Sequence, residues 1–423
     1  MQLSKFGRKF ATDAGITALM DDLGNALASG EDIIMMGGGN PGHLPEVESV
    51  FRERLQAIVD DEASFRRLIG VYDPPQGEKQ FINSLVELLN RTYGWELNEK
   101  NIALTNGSQA AFFMLFNMLA GEQEDGSFRQ ILLPLAPEYI GYSDAGLSPG
   151  LFRSVKPDIE YLEPHVFKYH VDFDHLDIDE QVAALCVSRP TNPTANVLTD
   201  AEMAGLEERA RSAGIPFIVD GAYGLPFPSL MYTEATPRWN DNIILCLSLS
   251  KLGLPAARTG IVIASEPYIE ALSSINAILN LATGSFGAML AEPLVRSGEL
   301  LTLSRDVVCP AYRRKMERSV EVLREAFGDE CPWYVHKPEG AMFLWLWFPE
   351  LPISSRELYQ RLKQRGVLVV SGDYFFPGLE EDDWAHRNEC IRVTYAQDQD
   401  RVDQGLRVIA EEVIAAYREE AAI

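Results

Sequence analysis

Between residues 102 and 248, short apolar runs at 102–104, 131–135, 183–187, 216–219 and 243–247 alternate with amphipathic stretches. Short apolar runs bounded by turn residues read as strands. Strands alternating with helices read as a mostly parallel sheet covered on both faces. Ligands of such sheets sit beyond the carboxyl ends of the strands. Asn106, Arg189, Asp220 and Ser248 each follow an apolar run, so they are expected to converge there. A helix is expected over 110–120. Another should open at a capping box, Thr199 with Glu202, where hydroxyl and carboxylate satisfy free backbone donors.

The last third reads differently. A strand is expected over 342–348, and a second capping box, Ser354 with Glu357, should open a helix that stops at Gly366. Strands over 367–370 and 390–395 and a terminal helix over 400–420 complete a small α+β domain. The predicted division is residues 1–50 as an N-terminal segment packed with the small domain, 51–305 as the large domain and 306–423 as the small one.

The chain has 37 Lys and Arg against 62 Asp and Glu, a net charge of −25. So acidic a surface repels phosphate backbones and anionic lipid, which argues against nucleic-acid and membrane partners. Five scattered cysteines form no C-x-x-C pair, and they read as reduced thiols in a cytoplasmic protein. The first twenty residues lack the continuous apolar core of a secretory signal. No apolar stretch reaches the roughly 18 residues of a membrane span.

Five segments carry candidate chemistry. In SLSKLGLPAARTG, residues 248–260, Lys251 follows a strand and lies among small hydroxyl residues. A partly deprotonated lysine there can form a Schiff base. Ser248, Ser250 and Arg258 can hold a dianionic phosphate. The plainer reading is a surface lysine. In IVDGAYG, Asp220 ends a strand, where a buried carboxylate needs a partner such as a protonated pyridine nitrogen; a helix N-cap is the alternative. Tyr223 could donate to a phenolate oxygen. In RPTNPTAN, Asn192 is held extended by Pro193, or the segment is a plain turn. In TNGSQ, Gly107, Ser108 and Gln109 open a helix whose free N–H groups can bind phosphate, or form an ordinary cap. In CIRVTYA, Arg392 within an apolar strand needs a charged partner, either a substrate carboxylate or a structural acid.

Gly37, Gly39 and Gly42 match G-x-G-x-x-G, but Pro41 and Pro45 stand where a dinucleotide fingerprint needs an opening helix. A glycine-rich substrate loop is expected instead. None of the six histidines has metal-ligand spacing, and no metal site is expected.

The order Asn-Pro-Thr, Asp-x-x-Tyr, Ser-x-Ser-Lys, Arg, Arg resembles the fold-type I aminotransferases that depend on pyridoxal phosphate. Asn192 to Asp220 is 28 positions and Asp220 to Lys251 is 31, spacings similar to that family's. The resemblance covers nearly the whole chain. It implies an α/β fold, with a large, mixed but mostly parallel sheet domain and a small α+β domain. It implies that Lys251 carries the cofactor and later shuttles a proton, that Asp220 keeps the pyridine nitrogen protonated, and that Tyr223 and Asn192 bind the phenolic oxygen. Tyr139 would stack on the ring. Gly107, Ser108, Gln109, Ser248, Ser250 and Arg258 would hold the phosphate. Arg392 would clamp the substrate carboxylate, and Gly38 or Gly39 would line the substrate side. Tyr72, in YDPPQG, resembles the tyrosine that reaches the neighbouring subunit's phosphate, which implies a homodimer with shared sites.

The motifs GGGNPG, TNGSQAAFF, APEYIGY, SRPTNPT, SLSKLGLP and KPEGAMFLWLWF resemble the family's valine–pyruvate branch. That branch implies amino-group transfer from L-valine to pyruvate, giving 3-methyl-2-oxobutanoate and L-alanine. An aminotransferase of aromatic, aminoadipate or alanine type, or a lyase on the same fold, is the alternative. Arg189 is the one candidate for binding a side-chain carboxylate. Two positions depart from the family: Ala195 and Ala256 stand where it has glycine. Alanine forced to φ > 0 costs on the order of 1 kcal/mol, so a different backbone is one expectation at these turns.

Overall fold

The computed structural model describes residues 2–11, 24 and 32–421. Two sheets organise these residues. The first runs in the order Ile102–Thr105, Gly260–Ile263, Ile243–Ser248, Phe217–Asp220, Val182–Ser188, Phe128–Leu133, with Gly121–Glu122 and Phe152–Ser154 beside the last. Gly260–Ile263 is antiparallel to both neighbours, while the pairings from Ile243–Ser248 to Phe128–Leu133 are parallel. Every residue of the four strands from Gly260–Ile263 to Val182–Ser188 is buried. That is why they read as unbroken apolar runs: helices cover both faces, so no alternation survives.

The second sheet runs in the order Val370–Ser371, Cys390–Thr394, Phe343–Trp347, Tyr334–His336, Val166–His170, Asp158–Glu163. Helices Cys309–Phe327 and Gln399–Ala421 pack on each other beside it. Its last two strands form a hairpin from within 51–305, the stretch expected to belong to the large domain. The second sheet therefore draws on both sides of the expected boundary at 306. Asp158–Glu163 is mostly exposed, so it carries no apolar run and gave no strand signal.

The N-terminal segment also divides. Ile34–Met35 pairs in parallel with Val367–Leu368 on the second-domain side. Helix Lys5–Phe10 instead lies against the first domain, with Lys9 Nζ donating to Ser148 O at 3.2 Å and the Phe10 ring 6.1 Å from that of Phe113. The intervening part of the expected 1–50 segment lies mostly outside the described residues.

The capping box at Thr199 and Glu202 forms in both directions. At Ser354 only half forms: its hydroxyl accepts from Glu357 N at 3.2 Å, while the Glu357 carboxylate turns to Arg361 at 2.8 Å. An i,i+4 charge pair outcompetes the second half of the box. Among the described residues, no helix is long and apolar enough to cross a membrane.

The turn at residues 105–108 fits tightly under the adjacent strand. A Cβ on Gly260 would lie 2.5 Å from Thr105 Oγ1 and 2.7 Å from Ser108 N. Gly260→Ala is expected to lower stability by about 1–3 kcal/mol through overpacking. Gly284→Ala, with open space at its Cβ, should stay within about 0.5 kcal/mol. Urea midpoints of the two variants measure the difference, and equal midpoints would refute the tight fit.

Candidate active site

The carboxyl ends of the first sheet open into a cleft of about 240 Å³. The strand Phe217–Asp220 delivers Asp220, and Ile243–Ser248 delivers Ser248, with Ser250 and Lys251 in the short helical turn that follows. Helix Ser108–Leu119 points its N-terminus into the cleft. Gly107 caps it at φ 85, a backbone region open to glycine. A Cβ there would lie 2.0 Å from an Arg258 guanidinium nitrogen, so Gly107 also leaves room for that side chain. Helix N–H groups, two serines and Arg258 make an anion cradle.

Asp220, which lines the same cleft, is buried. Its Oδ2 accepts from Tyr142 Oη at 2.8 Å and its Oδ1 from Ala222 N at 2.9 Å. Burial pushes its carboxyl up to about 6, against the pull of these two donors. A second buried acid, Glu138, accepts from Ser188 N at 2.7 Å and from the Ser188 hydroxyl. Burial pushes it up to about 8. Lys251 Nζ donates to Gly39 O at 2.7 Å. Burial, then the nearby Arg392 and Arg258, bring its amine down to about 8. A buried amine shifted this way keeps a sizeable neutral, nucleophilic fraction near neutral pH.

Arg392 sits between aromatic faces, 4.3 Å from the Phe343 ring centroid and 5.1 Å from that of Phe375. It donates to Asn192 Oδ1 and to Gly37 O, both at 2.7 Å. Its Nε is buried without a partner.

The structure thus brings Ser108, Gln109, Tyr139, Asn192, Asp220, Tyr223, Ser248, Ser250, Lys251, Arg258, Arg392 and Gly39 to one cleft, with Gly107 at its cradle. Gly38 is not among the lining residues. Tyr72 is 82% exposed and outside the cleft. Asn106 turns away and accepts from Gly284 N at 3.1 Å. Arg189, left open for a side-chain carboxylate, is bound instead to Asp200 at 2.7 Å and to Thr236 O at 3.3 Å. The turns that carry alanine differ: Ala195 holds φ 62, whereas Ala256 lies in a short helical turn without positive φ. Sequence reading missed Tyr142 and Glu138. Their only signal was the aromatic-acidic run PEYIGY, with nothing to mark which side chain turns inward.

The cleft fits pyridoxal phosphate. It offers an anion cradle, a buried carboxylate, a lysine of lowered basicity and a guanidinium with an orphaned Nε. Comparison with known proteins agrees. The profile of aminotransferase class I and II matches residues 31–409. The valine–pyruvate aminotransferase of Escherichia coli (strain K12) is 46% identical over 419 residues, covering 99% of this chain and 100% of that one. The structure of valine-pyruvate aminotransferase from Salmonella typhimurium LT2 superposes with a TM-score of 0.88 at 46% identity, covering 96% and 100%. An aminotransferase structure from Psychrobacter arcticum 273-4 superposes at 0.96 with 47% identity, covering 99% of each chain. The chain belongs to the class I and II aminotransferases, enzymes of fold type I that depend on pyridoxal phosphate.

Proposed function

We propose that this aminotransferase moves the amino group of L-valine to pyruvate, giving 3-methyl-2-oxobutanoate and L-alanine. The observation that carries the specificity is the distribution of charge in the cleft. Its lining cations are Lys251, Arg258 and Arg392. Lysine, phosphate cradle and α-carboxylate clamp use all three. Arg189 is tied to Asp200, so a second substrate carboxylate finds no partner. Phe112, Tyr139, Ile140 and Pro190 supply apolar wall, which suits a branched aliphatic side chain. The likeness to valine–pyruvate aminotransferases points the same way.

Pyridoxal phosphate, once bound, supplies an electrophilic carbon and an electron sink for the substrate's α-carbon. The chain's residues do the rest. Lys251 holds the cofactor. Its freed amine then takes the proton from the α-carbon and returns it, as base and then acid. Asp220 keeps the ring nitrogen protonated. Tyr142 and Ala222 N hold that carboxylate in place. Asn192 and Tyr223 bind the phenolic oxygen, and Tyr139 lies against the ring. Gly107, Ser108, Gln109, Ser248, Ser250 and Arg258 bind the phosphate. Arg392 orients the substrate carboxylate, and the backbone at Gly39 borders it.

The same proposal includes a homodimer. Exposed Ile69, Val71 and Tyr72 adjoin exposed Ile278, Leu279, Leu281 and Phe286. The two segments are tied where Asn276 Nδ2 donates to Pro75 O at 2.6 Å and where Ser285 donates to Asp73. An apolar patch of this kind suits a second copy, and Tyr72 would then reach the partner's phosphate. Five free cysteines support a place in the reducing cytoplasm.

Three outcomes follow. Lys251→Ala should abolish the absorbance of covalently held cofactor and lower kcat by roughly 10⁴-fold; turnover near the parent rate would remove Lys251 from the mechanism. In the cofactor-free protein the reactive amine is the neutral form. Acylation of Lys251, followed by peptide mass, should therefore rise with pH through about 8 and level above it, whereas an ordinary lysine keeps rising toward about 10. With pyruvate as acceptor, kcat/KM for L-valine should exceed that for L-aspartate by at least about 30-fold, the equivalent of roughly 2 kcal/mol for an unpaired carboxylate. Equal values would discard the neutral-substrate reading and keep the aminotransferase.

A further inference from the structure

Residues 189–198 run without helix or strand, and every one of them is buried. A buried loop must find partners for its backbone N–H and C=O groups. The first part does so internally: Thr191 N donates to Asn196 O and Ala195 N to Thr191 O, both at 2.8 Å. The second part uses the other sheet. Glu339 N donates to Ala195 O at 3.1 Å. The Glu339 carboxylate accepts from Val197 N at 3.2 Å, and Lys168 Nζ donates to Val197 O at 3.1 Å. Lys168 and Glu339 also bond each other, and each is only 5% exposed; the other Glu339 oxygen meets the half-exposed Lys337 at 2.8 Å. Lys168 comes from the Val166–His170 strand, and Glu339 from the turn before Phe343–Trp347. Both backbone groups of one loop residue are thus held by the two ends of one buried ion pair.

Five residues upstream of Val197, Asn192 Oδ1 accepts from Arg392 at 2.7 Å. We propose that the Lys168–Glu339 pair is a positioning device: it sets the depth of the 189–198 loop and so holds Asn192 against the Arg392 guanidinium. The inference rests on the reading of Arg392 as the substrate-carboxylate clamp. Without the pair, Val197 loses both partners; the loop keeps two bonds to the second sheet, Glu339 N to Ala195 O and Asn196 Nδ2 to Tyr169 O, both at 3.1 Å, and its depth shifts about these. A slide of about 1 Å would break a 2.7 Å hydrogen bond and swing the clamp. Donor and acceptor substrates both carry the clamped carboxylate, so both should bind less well, while Lys251 and Asp220, on other strands, stay in place.

The test is the double variant Lys168→Met/Glu339→Leu as holoenzyme, which removes both the donor to Val197 O and the acceptor from Val197 N. KM for the amino acid and for the 2-oxo acid should both rise by about tenfold or more, with kcat changed by less than about threefold. Competitive inhibition by isovalerate, an unreactive carboxylate, should weaken in parallel, and cofactor occupancy should stay as in the parent while the pH dependence of its absorbance shifts, because Asn192 also binds the phenolic oxygen. Unchanged KM and unchanged isovalerate inhibition beside a lower melting temperature would overturn the proposal and leave the pair purely structural. If the double variant does not fold, Lys168→Met alone, which removes the donor to Val197 O and leaves Glu339 paired with Lys337, carries the same two readouts. Arg392→Met separates the levels. If it leaves isovalerate inhibition unchanged, the clamp reading itself fails. If it weakens inhibition and the pair variants do not, only the positioning inference fails.

Discussion

A guanidinium closed off from water has to place its N–H groups on acceptors that the fold itself brings, and Arg392 takes them from distant parts of the chain. One is the backbone of Gly37, 355 positions away, and another is the amide of Asn192, 200 positions away. Phe343 and Phe375 cover its flat faces. The N-terminal strand, the loop leaving the first sheet and the second sheet are therefore registered on one side chain. Burying a charge without a counter-charge is costly, and burial brings Arg392 down to about 10. The arrangement is stable only because neutral dipoles and ring faces satisfy part of the guanidinium. Arg392 also lines the cleft, and its buried Nε has no partner there, so the guanidinium keeps donor capacity for an anion.

The rest of the cleft follows the same electrostatic logic. Lys251 is buried beside two arginines, which brings its amine down to about 8 against the opposite pull of Asp220. Asp220 lies among apolar strands with two donors aimed at it, so it is poised to be stabilised by one facing cation. A ligand with a doubly negative end, a protonatable ring nitrogen and an electrophilic carbon between them relieves all three tensions at once. Relief of unfavourable charge on binding is itself a source of affinity and of pKa tuning. Glu138, buried beside this system, is pushed up to about 8 and Asp220 to about 6, so Asp220 is the more readily ionised of the two.

What was legible in the sequence was what repeats locally. Buried strands appear as apolar runs, and their polar last residues mark the sheet's carboxyl edge. From these alone Asp220, Ser248 and Lys251 could be placed together. Side-chain direction was not legible. Asn106 and Arg189 also follow apolar runs, yet one caps a loop amide and the other pairs with Asp200. Both are satisfied by residues whose nearness depends on tertiary packing. Tyr142 and Glu138 escaped for the same reason, since a four-residue helix, Ile140–Ser143, decides which of PEYIGY turns inward. The exchange of the 158–170 hairpin into the second sheet escaped because its outer strand is exposed. An exposed edge strand has no apolar pattern for a reader to find.

Ala195 shows how such a site tolerates local strain. The left-handed turn is kept at φ 62 with a Cβ in place, at a cost on the order of 1 kcal/mol. The conformation persists because the surroundings over-determine it. Ala195 N donates to Thr191 O, and Ala195 O accepts from Glu339 N. The side chain is fully buried, and a methyl group removed from water contributes about 0.8 kcal/mol in the opposite sense. Strain and burial nearly cancel, so alanine leaves Asn192, three residues earlier, in contact with Arg392. The contact that registers the sheets is set by the partners of the loop's backbone, and these do not depend on which small residue occupies the turn.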